Sequence, residues 1–594
     1  MRLRSSLLAL VILFLLSVFY VNTIHYTYMR DDEEIAFRGT AGDLGSTFAF
    51  QAYQDVHPPI WFLSFWVWQE FMGDSEFMGR VYSIFLSLLT LAVVYQIGRR
   101  WFKGVGVGLC ALVAVGINAY FFTYVLEIRP YGLILLVAAV SMWLLVRWIE
   151  RPKWVRAVPY GLTIAVMLYL HYFMVFLVIA QIVYVLVVMR GRAIRYLIGS
   201  YVLAGVLWLP WIPIFINQIQ KLNAAEVEFG NARGVVGIGS TTEPTTLDAV
   251  WRLIQVMSNG QVVLYALILA YAIWVWRKER LGLVLLWAFG VPVFSLLTNL
   301  VFSVYTQRYI SYLSIGVGLV MAVGLASVPR KWVIPVLGVF IALSSWGIPS
   351  QYPYDRTPHR LIFQQMTAAS QPGDVILWDQ ADLANNVVQW QMRHYLSPEL
   401  LRNCTEEFET ATAVRRVWYV TADWFDETVQ ANFGRLEQMH PVQQVLGDCT
   451  RSWCYLAQLM ETAPSTTPIS FEDGINFRGL DVDSAAPEEL RLRLWWQAES
   501  QPRMDYSISV QLLNAEGVLV AQQDGSIQHY GQTIETTAMA IGQLYIDSRV
   551  LRPTQPLVPG TYQWVLVVYD WQTGVRLPTE DGRDSVMLQE LILP

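Results

Sequence analysis

The chain of 594 residues is 55% hydrophobic and only 15% charged, with a mean hydropathy of +0.39. Soluble domains carry about 25% charged residues, so a wholly soluble protein is excluded. The net charge of −6 argues against nucleic acid as a partner.

The polarity is uneven along the chain. Residues 1–350 are mostly long apolar runs, whereas 351–594 have an ordinary soluble composition. From Met1 to about Thr23 a short basic head (Arg2, Arg4) precedes an apolar run. Val21-Asn22-Thr23 lacks the small residues of a signal-peptide cleavage site, so this run is expected to be a retained first span. Residues 25–77 are expected to form a long loop, polar at first and then aromatic. It carries Asp31-Asp32-Glu33-Glu34 and His57-Pro58-Pro59. Ten further spans are predicted, at roughly 78–99, 105–124, 130–149, 157–171, 173–189, 194–217, 260–277, 281–304, 308–328 and 332–349.

The basic residues test this count. Arg2/Arg4, Arg99-Arg100, Arg147/Arg151/Lys153/Arg156, Arg190/Arg192/Arg195, Arg277-Lys278 and Arg330-Lys331 all fall on one side of the membrane if there are about eleven spans. The positive-inside rule makes that side cytoplasmic. The N-terminus is then cytoplasmic, and the protein is a multi-pass protein of the cell membrane. The opposite face receives the acidic cluster, Glu127 and Arg129, His171, the Gly-rich 218–258 loop, Arg308 and the whole C-terminal region.

Past the spans, residues 351–464 predict an α/β domain. Its strands are Val375–Trp378, Val414–Val420 and Tyr455–Gln458, with helices near Asn385–Tyr395 and Asp426–Met439. Residues 465–594 predict a β-sandwich, with strands Leu490–Trp496, Tyr506–Leu513, Gln543–Ser548, Tyr562–Tyr569 and Val586–Leu593. Trp495, Trp564 and Trp571 are expected in its core. Cys449 and Cys454 flank a four-residue loop and are candidates for a disulfide, with Cys404 as the alternative partner of either.

The outer face gathers the chemistry. Charged groups at helix ends beside hydrocarbon are costly unless they meet a partner or a substrate. Carboxylates together with arginines suit a phosphate-bearing lipid and a hydroxyl acceptor, because a guanidinium can donate two hydrogen bonds to phosphate. A divalent ion at Asp31/Asp32 is an alternative use of the acidic cluster. A polytopic lipid or solute transporter, or flippase, is the alternative function. It predicts mid-membrane charges and paired repeats, neither of which is visible here.

The order of motifs carries a resemblance. Asp32-Glu33 follows the first span and His57-Pro58-Pro59 lies in the same outer loop. Arg80 opens the second span, and Gly98-Arg99-Arg100-Trp101-Phe102 closes it. Then come Glu127-Ile128-Arg129-Pro130-Tyr131, Tyr169-Leu170-His171-Tyr172-Phe173 and Gln307-Arg308-Tyr309. Over residues 1–350 this order resembles the GT-C fold glycosyltransferases, in the branch of the protein O-mannosyltransferases and aminoarabinose transferases. The resemblance implies a polytopic α-helical GT-C domain (1–350) with the extracytoplasmic α/β (351–464) and β-sandwich (465–594) domains appended. It implies a polyprenyl-phosphate sugar donor, a glycan, lipid or protein acceptor, and inversion at the anomeric carbon. It also implies a loop aspartate as general base, which maps to Asp32 followed by Glu33, with the doubled Asp31 as the neighbouring register. Expected to touch donor or phosphate are His57, Arg80, Glu127, Arg129, Tyr131, His171, Arg308 and Tyr309. No cofactor is required by this chemistry.

Overall fold

The computed structural model describes residues 2–189, 191, 193–228, 244–275, 279–301, 305–351, 358–379, 389–421, 424–449, 454–465 and 467–593. The chain divides into two compact units, Met1–Arg356 and Thr357–Pro594.

The first unit is helical. Among the described residues six helices are long and apolar enough to cross a bilayer, and up to eight if each of two bent pairs is one span. Three shorter apolar helices, Trp154–Leu170, Tyr172–Val188 and Leu313–Ser327, accompany them. The first helix, Arg2–Thr23, leaves Leu7, Leu10 and Phe14 exposed. Leu8 and Leu15 join them in an apolar face suited to lipid. By contrast, Glu76–Trp101 and Tyr131–Glu150 are mostly packed inside the bundle. The first of these meets Val105–Gly116 where Gly98 faces Gly108. A Cβ on Gly98 would come within 2.9 Å of the Gly108 Cα, so the small residues set the close approach.

The predicted span 105–124 is broken rather than straight, and the helix of the predicted span 260–277 follows a second sharp bend. Val105–Gly116 and Ala119–Val125 meet at 67°, and Leu247–Met257 and Val262–Val275 at 77°. The two breaks satisfy each other's backbone. Asn118 donates to Met257 O (2.8 Å), and Asn259 Oδ1 accepts from Ala119 N (2.7 Å). The Asn259 amide also donates to Ile117 O and Ser344 O, at 2.8 and 3.1 Å. Backbone freed by a break inside apolar surroundings needs such partners. Asn259 sits at φ +53°, a region asparagine tolerates better than most residues. Asn259→Ala is therefore expected to cost roughly 1–3 kcal/mol for each buried group left unpaired. A fall in melting temperature in detergent is the check, and an unchanged one would mean that water replaces the amide.

The expected 25–77 loop is instead three helices, Asp31–Gly39, Leu44–Tyr53 and Ile60–Met72. Asp43 caps the second by accepting from Ser46 N at 2.7 Å. Pro59 stands at the N-cap of the third. Ile60–Met72 is too short to span a membrane, but it buries Trp61, Phe62 and Phe65, the last packed against Phe37 and Tyr82. Aromatic side chains of that size hold short helices onto a bundle that already exists.

The second unit carries a five-stranded mixed sheet in the order Cys404–Thr405, Val375–Trp378, Arg416–Thr421, Cys454–Glu461, Val442–Cys449. The first three strands are parallel and the last two antiparallel. Two four-stranded antiparallel sheets then share one core that includes Trp496, Trp564, Ile508 and Leu566. Every strand expected in this sandwich is present, joined by Ile475–Ala486 and Leu519–Gly525, which lack a clean alternation. Trp495 and Trp564 are buried, whereas Trp571 stands exposed in a turn. An ionic network ties the mixed sheet to the sandwich: Arg415 and Arg493 both meet Glu461 and Asp481. Cys449 is disulfide-bonded and faces Cys454 in strand register, while Cys404 and Cys110 are free.

Candidate functional site

The site is built on the turn 126–130, between the helices Ala119–Val125 and Tyr131–Glu150. Three clasps fix that turn. Arg80 Nη1 donates to Leu126 O (2.6 Å), Ser83 Oγ donates to Glu127 O (2.6 Å), and Ile128 N donates to Glu33 Oε1 (2.7 Å). The helix Asp31–Gly39 is thereby locked onto the turn. Glu33 also reaches back to Arg30 N at 2.8 Å, closing its own helix N-terminus.

This geometry sets two of the expected residues in one buried cluster. Glu33 is fully buried and accepts from Arg30 N, Ile128 N and Arg80. Arg80 is equally buried, held by Glu76 at 2.7 Å and Glu33 at 3.2 Å. Truncation of one partner in a buried pair typically costs 3–5 kcal/mol. Glu33→Ala is accordingly expected to lower thermal stability by roughly that amount. Whatever fraction stays folded should keep a near-normal specific activity, and a folded but dead variant would restore a chemical role to Glu33.

The neighbouring Asp32 is placed differently. Its carboxylate Oδ2 accepts from Arg308 Nη1 at 2.5 Å, and its backbone carbonyl accepts from Arg129 Nη1 at 2.8 Å. Its side chain is 38% exposed, against none for Glu33. Burial acts to raise its pKa, but Arg129, Arg308 and Arg30 outweigh it and hold the carboxyl below its ordinary value. Arg129 is buried and Arg308 nearly so. Among the described residues the Nε of each has no hydrogen-bond partner. Two buried guanidinium N–H groups left open beside one carboxylate form a positive lining with unused donors.

Around this pair stand the other expected residues. Tyr309 packs against both His171 and Phe173 at 4.9 Å, with the Arg308 guanidinium 5.4 Å from its ring centre. Tyr131 packs on Tyr124 at 4.7 Å. His171 Nδ1 accepts from Phe173 N at 3.4 Å, so a neutral ring carries its proton on Nε2. Its ring lies 6.3 Å from that of His57. His57 Nε2 is 3.5 Å from Arg129 Nη2. Glu127 accepts from Arg30 at 3.0 Å. Asp31 opens its helix, and its side chain lies outside the described residues. The segment 229–243, within the expected Gly-rich loop, is also outside them.

Among the described residues no group of three or more His, Cys, Asp or Glu side chains is placed to hold a metal ion. At Asp32 the cation is Arg308.

Two residues of this neighbourhood escaped the sequence reading. Asp55 is buried and contacts His57 Nδ1 at 2.7 Å. Gln218, on the helix Ile212–Glu228, donates to Gln51 O at 2.9 Å and Asp55 O at 3.3 Å, and accepts from Tyr172 OH at 2.6 Å. The Asp-x-His spacing was visible in the sequence. Gln218 carried no signal, because only the folded chain brings it to the loop.

Residues 56–215 match the family described as dolichyl-phosphate-mannose-protein mannosyltransferase. The resemblance to that glycosyltransferase family expected from the motifs is met by this match, and the stretch contains His57, Arg80, Glu127, Arg129, Tyr131 and His171. No curated protein matches the sequence. Among solved structures, ArnT from Cupriavidus metallidurans in the apo state is similar, with 13% identity, 77% of this chain and 97% of that chain covered, and a TM-score of 0.48. The same protein bound to undecaprenyl phosphate gives 13% identity, the same coverage of 77% and 97%, and 0.46. Arabinosyltransferase EmbB from Mycobacterium smegmatis gives 11% identity, 96% and 64% coverage, and 0.37.

Proposed function

We propose that the protein transfers a sugar from a polyprenyl-phosphate carrier to an acceptor on the extracytoplasmic face of the membrane, with inversion, and that Asp32 is the general base. The observation that carries this reading is the Asp32–Arg308–Arg129 constellation at the end of a helical bundle, with both arginine Nε groups open.

The chemistry follows from charge. In the resting site Asp32 neutralises Arg308. The bridging phosphate of the donor is a permanent anion and competes for that guanidinium. As it binds Arg308 and Arg129, Asp32 is released from its ion pair. Its basicity rises in the complex that needs a base. Positive charge on the phosphate side then stabilises the departing lipid phosphate, so no strong general acid is needed. A positioned carboxylate taking the acceptor proton contributes typically 10²- to 10⁴-fold. One-step displacement places base and leaving group on opposite faces of the sugar and inverts the anomeric centre. Tyr309, Tyr131 and His171 supply the apolar and polar walls of the donor site.

The acceptor, whether glycan, lipid or protein, is met on the side that carries the C-terminal unit. The disulfide at Cys449 supports an oxidising, extracytoplasmic setting for that unit. The alternation of basic loops supports a cytoplasmic N-terminus. Purified protein in detergent, offered a panel of polyprenyl-phosphate monosaccharides with a mixed glycan extract, tests the reading. Turnover of one donor supports it. Failure to bind polyprenyl phosphate at all removes it and favours a transporter.

A further inference from the structure

Asp55 belongs to no role assigned so far, yet it is one of the most elaborately held carboxylates in the molecule. It lies in the short connection between Leu44–Tyr53 and Ile60–Met72. Its Oδ1 accepts from Val56 N (2.5 Å), from His57 N (3.1 Å) and from the His57 ring at Nδ1 (2.7 Å). Burial acts to raise its pKa, but His57, Arg129 and the Val56 N–H draw it down to about 2. Asp55 is thus a carboxylate across the pH range in which proteins work. A carboxylate cannot donate, so the hydrogen between Asp55 and His57 resides on Nδ1. A neutral His57 then has a bare Nε2, and this atom faces a donor, Arg129 Nη2, at 3.5 Å. The connection itself is clamped from behind, where the Gln218 amide meets the carbonyls of Gln51, Asp55 and His57.

The chain of contacts runs Asp55, His57, Arg129, Asp32 carbonyl. We propose that Asp55 is a positioning residue: it fixes His57 in the Nδ1–H tautomer, so that Nε2 steadies the Arg129 guanidinium in the orientation that leaves its Nε open to an anion. The anion is the phosphate of the lipid donor, so the proposal rests on the functional reading above. The open Nε of Arg129 is what the arrangement protects. A His57 protonated at Nε2 would point an N–H at the guanidinium and turn it away.

The test uses the full-length protein in detergent with ¹⁵N-labelled histidine. The sequence holds 7 histidines, and the His57 signals are those missing from His57→Gln. In the wild type the neutral form of the His57 ring is expected to carry its proton on Nδ1; the opposite tautomer overturns the proposal outright. Asp55→Ser keeps a side-chain oxygen for the Val56 and His57 N–H groups but is too short for the ring. It is expected to mix the two tautomers and to weaken polyprenyl-phosphate binding about tenfold, the loss typical of one hydrogen bond to a charged group. Asp55→Asn still offers an acceptor and should restore most of both. Combining Asp55→Ser with His57→Gln should weaken binding no further than His57→Gln alone. An unchanged tautomer in Asp55→Ser, or fully additive losses in the pair, would overturn the role. The histidine spectra need no donor. If the wild type binds no polyprenyl phosphate, the functional reading falls while the spectra still decide what Asp55 does.

Discussion

Asp32→Asn should bind the lipid-phosphate donor at least as tightly as the wild type while losing about 10²- to 10⁴-fold in kcat. The two effects have one cause. Asparagine keeps the shape and still offers an oxygen to Arg308, but it removes the charge that competes with phosphate for that guanidinium. Donor binding then no longer has to break an ion pair, and the acceptor proton has nowhere to go. A fall in kcat with KM unchanged or lower is the mark of an interaction used in the chemical step rather than in uniform binding. The fold should be untouched, since Asp32 holds its helix to Arg129 through its backbone carbonyl and not through its carboxylate. Steady-state transfer and a direct binding isotherm on the same preparation measure both halves. Wild-type kcat in a folded Asp32→Asn protein would remove Asp32 as base. Asp31, one residue earlier in the same helix, would be the next carboxylate to replace.

The contrast between Asp32 and Glu33 shows what the sequence could and could not say. Both stand in one acidic run and look equivalent on paper. In the fold they point apart, because adjacent residues on a helix face about 100° from each other. One lands between two arginines at the surface of the site, the other in a dry cage of backbone N–H and Arg80. Arg80 was likewise legible as a costly charge at a helix end that a loop carboxylate could pair, as Glu33 does. The joining of Arg129 and Arg308 to Asp32 was foreseeable, since all three sit at helix ends assigned to one face by the basic loops. The helices of 25–77 were hidden for a different reason. None is apolar and long enough to be read as a span, and their stability comes from packing Trp61, Phe62 and Phe65 into the bundle. The two bends were hidden because hydropathy does not report them; only the reciprocal Asn118 and Asn259 contacts reveal why they are tolerated. In the soluble unit the alternating strands were readable. Val442–Cys449 and Ile475–Ala486 were not, because their exposed faces and interior glycines blur the period.

Arg308 gives the second large effect, and its sign can be worked out. In the free protein Asp32 lies below its ordinary pKa because Arg129 and Arg308 outweigh burial. A donor phosphate that draws Arg308 away weakens that attraction and adds a negative neighbour, so the pKa of Asp32 rises on binding. The base must be ionised to act, so activity falls on the acid side. The acid limb of kcat/KM reports the free enzyme and that of kcat the complex. The kcat limb is therefore expected at higher pH than the kcat/KM limb. A phosphodiester donor stays ionised across this range and cannot itself produce the difference. Arg308→Gln removes the depressing charge in advance, so its kcat/KM limb should move up towards the kcat limb. Donor affinity should fall about 10- to 100-fold with the loss of a charge-assisted bond to phosphate. Arg308→Lys keeps the charge without the planar fork and should hold the limbs apart at reduced affinity. Limbs that coincide in the wild type would mean that the phosphate does not take Arg308 from Asp32, and the ion pair would then be a fixed strut of the site.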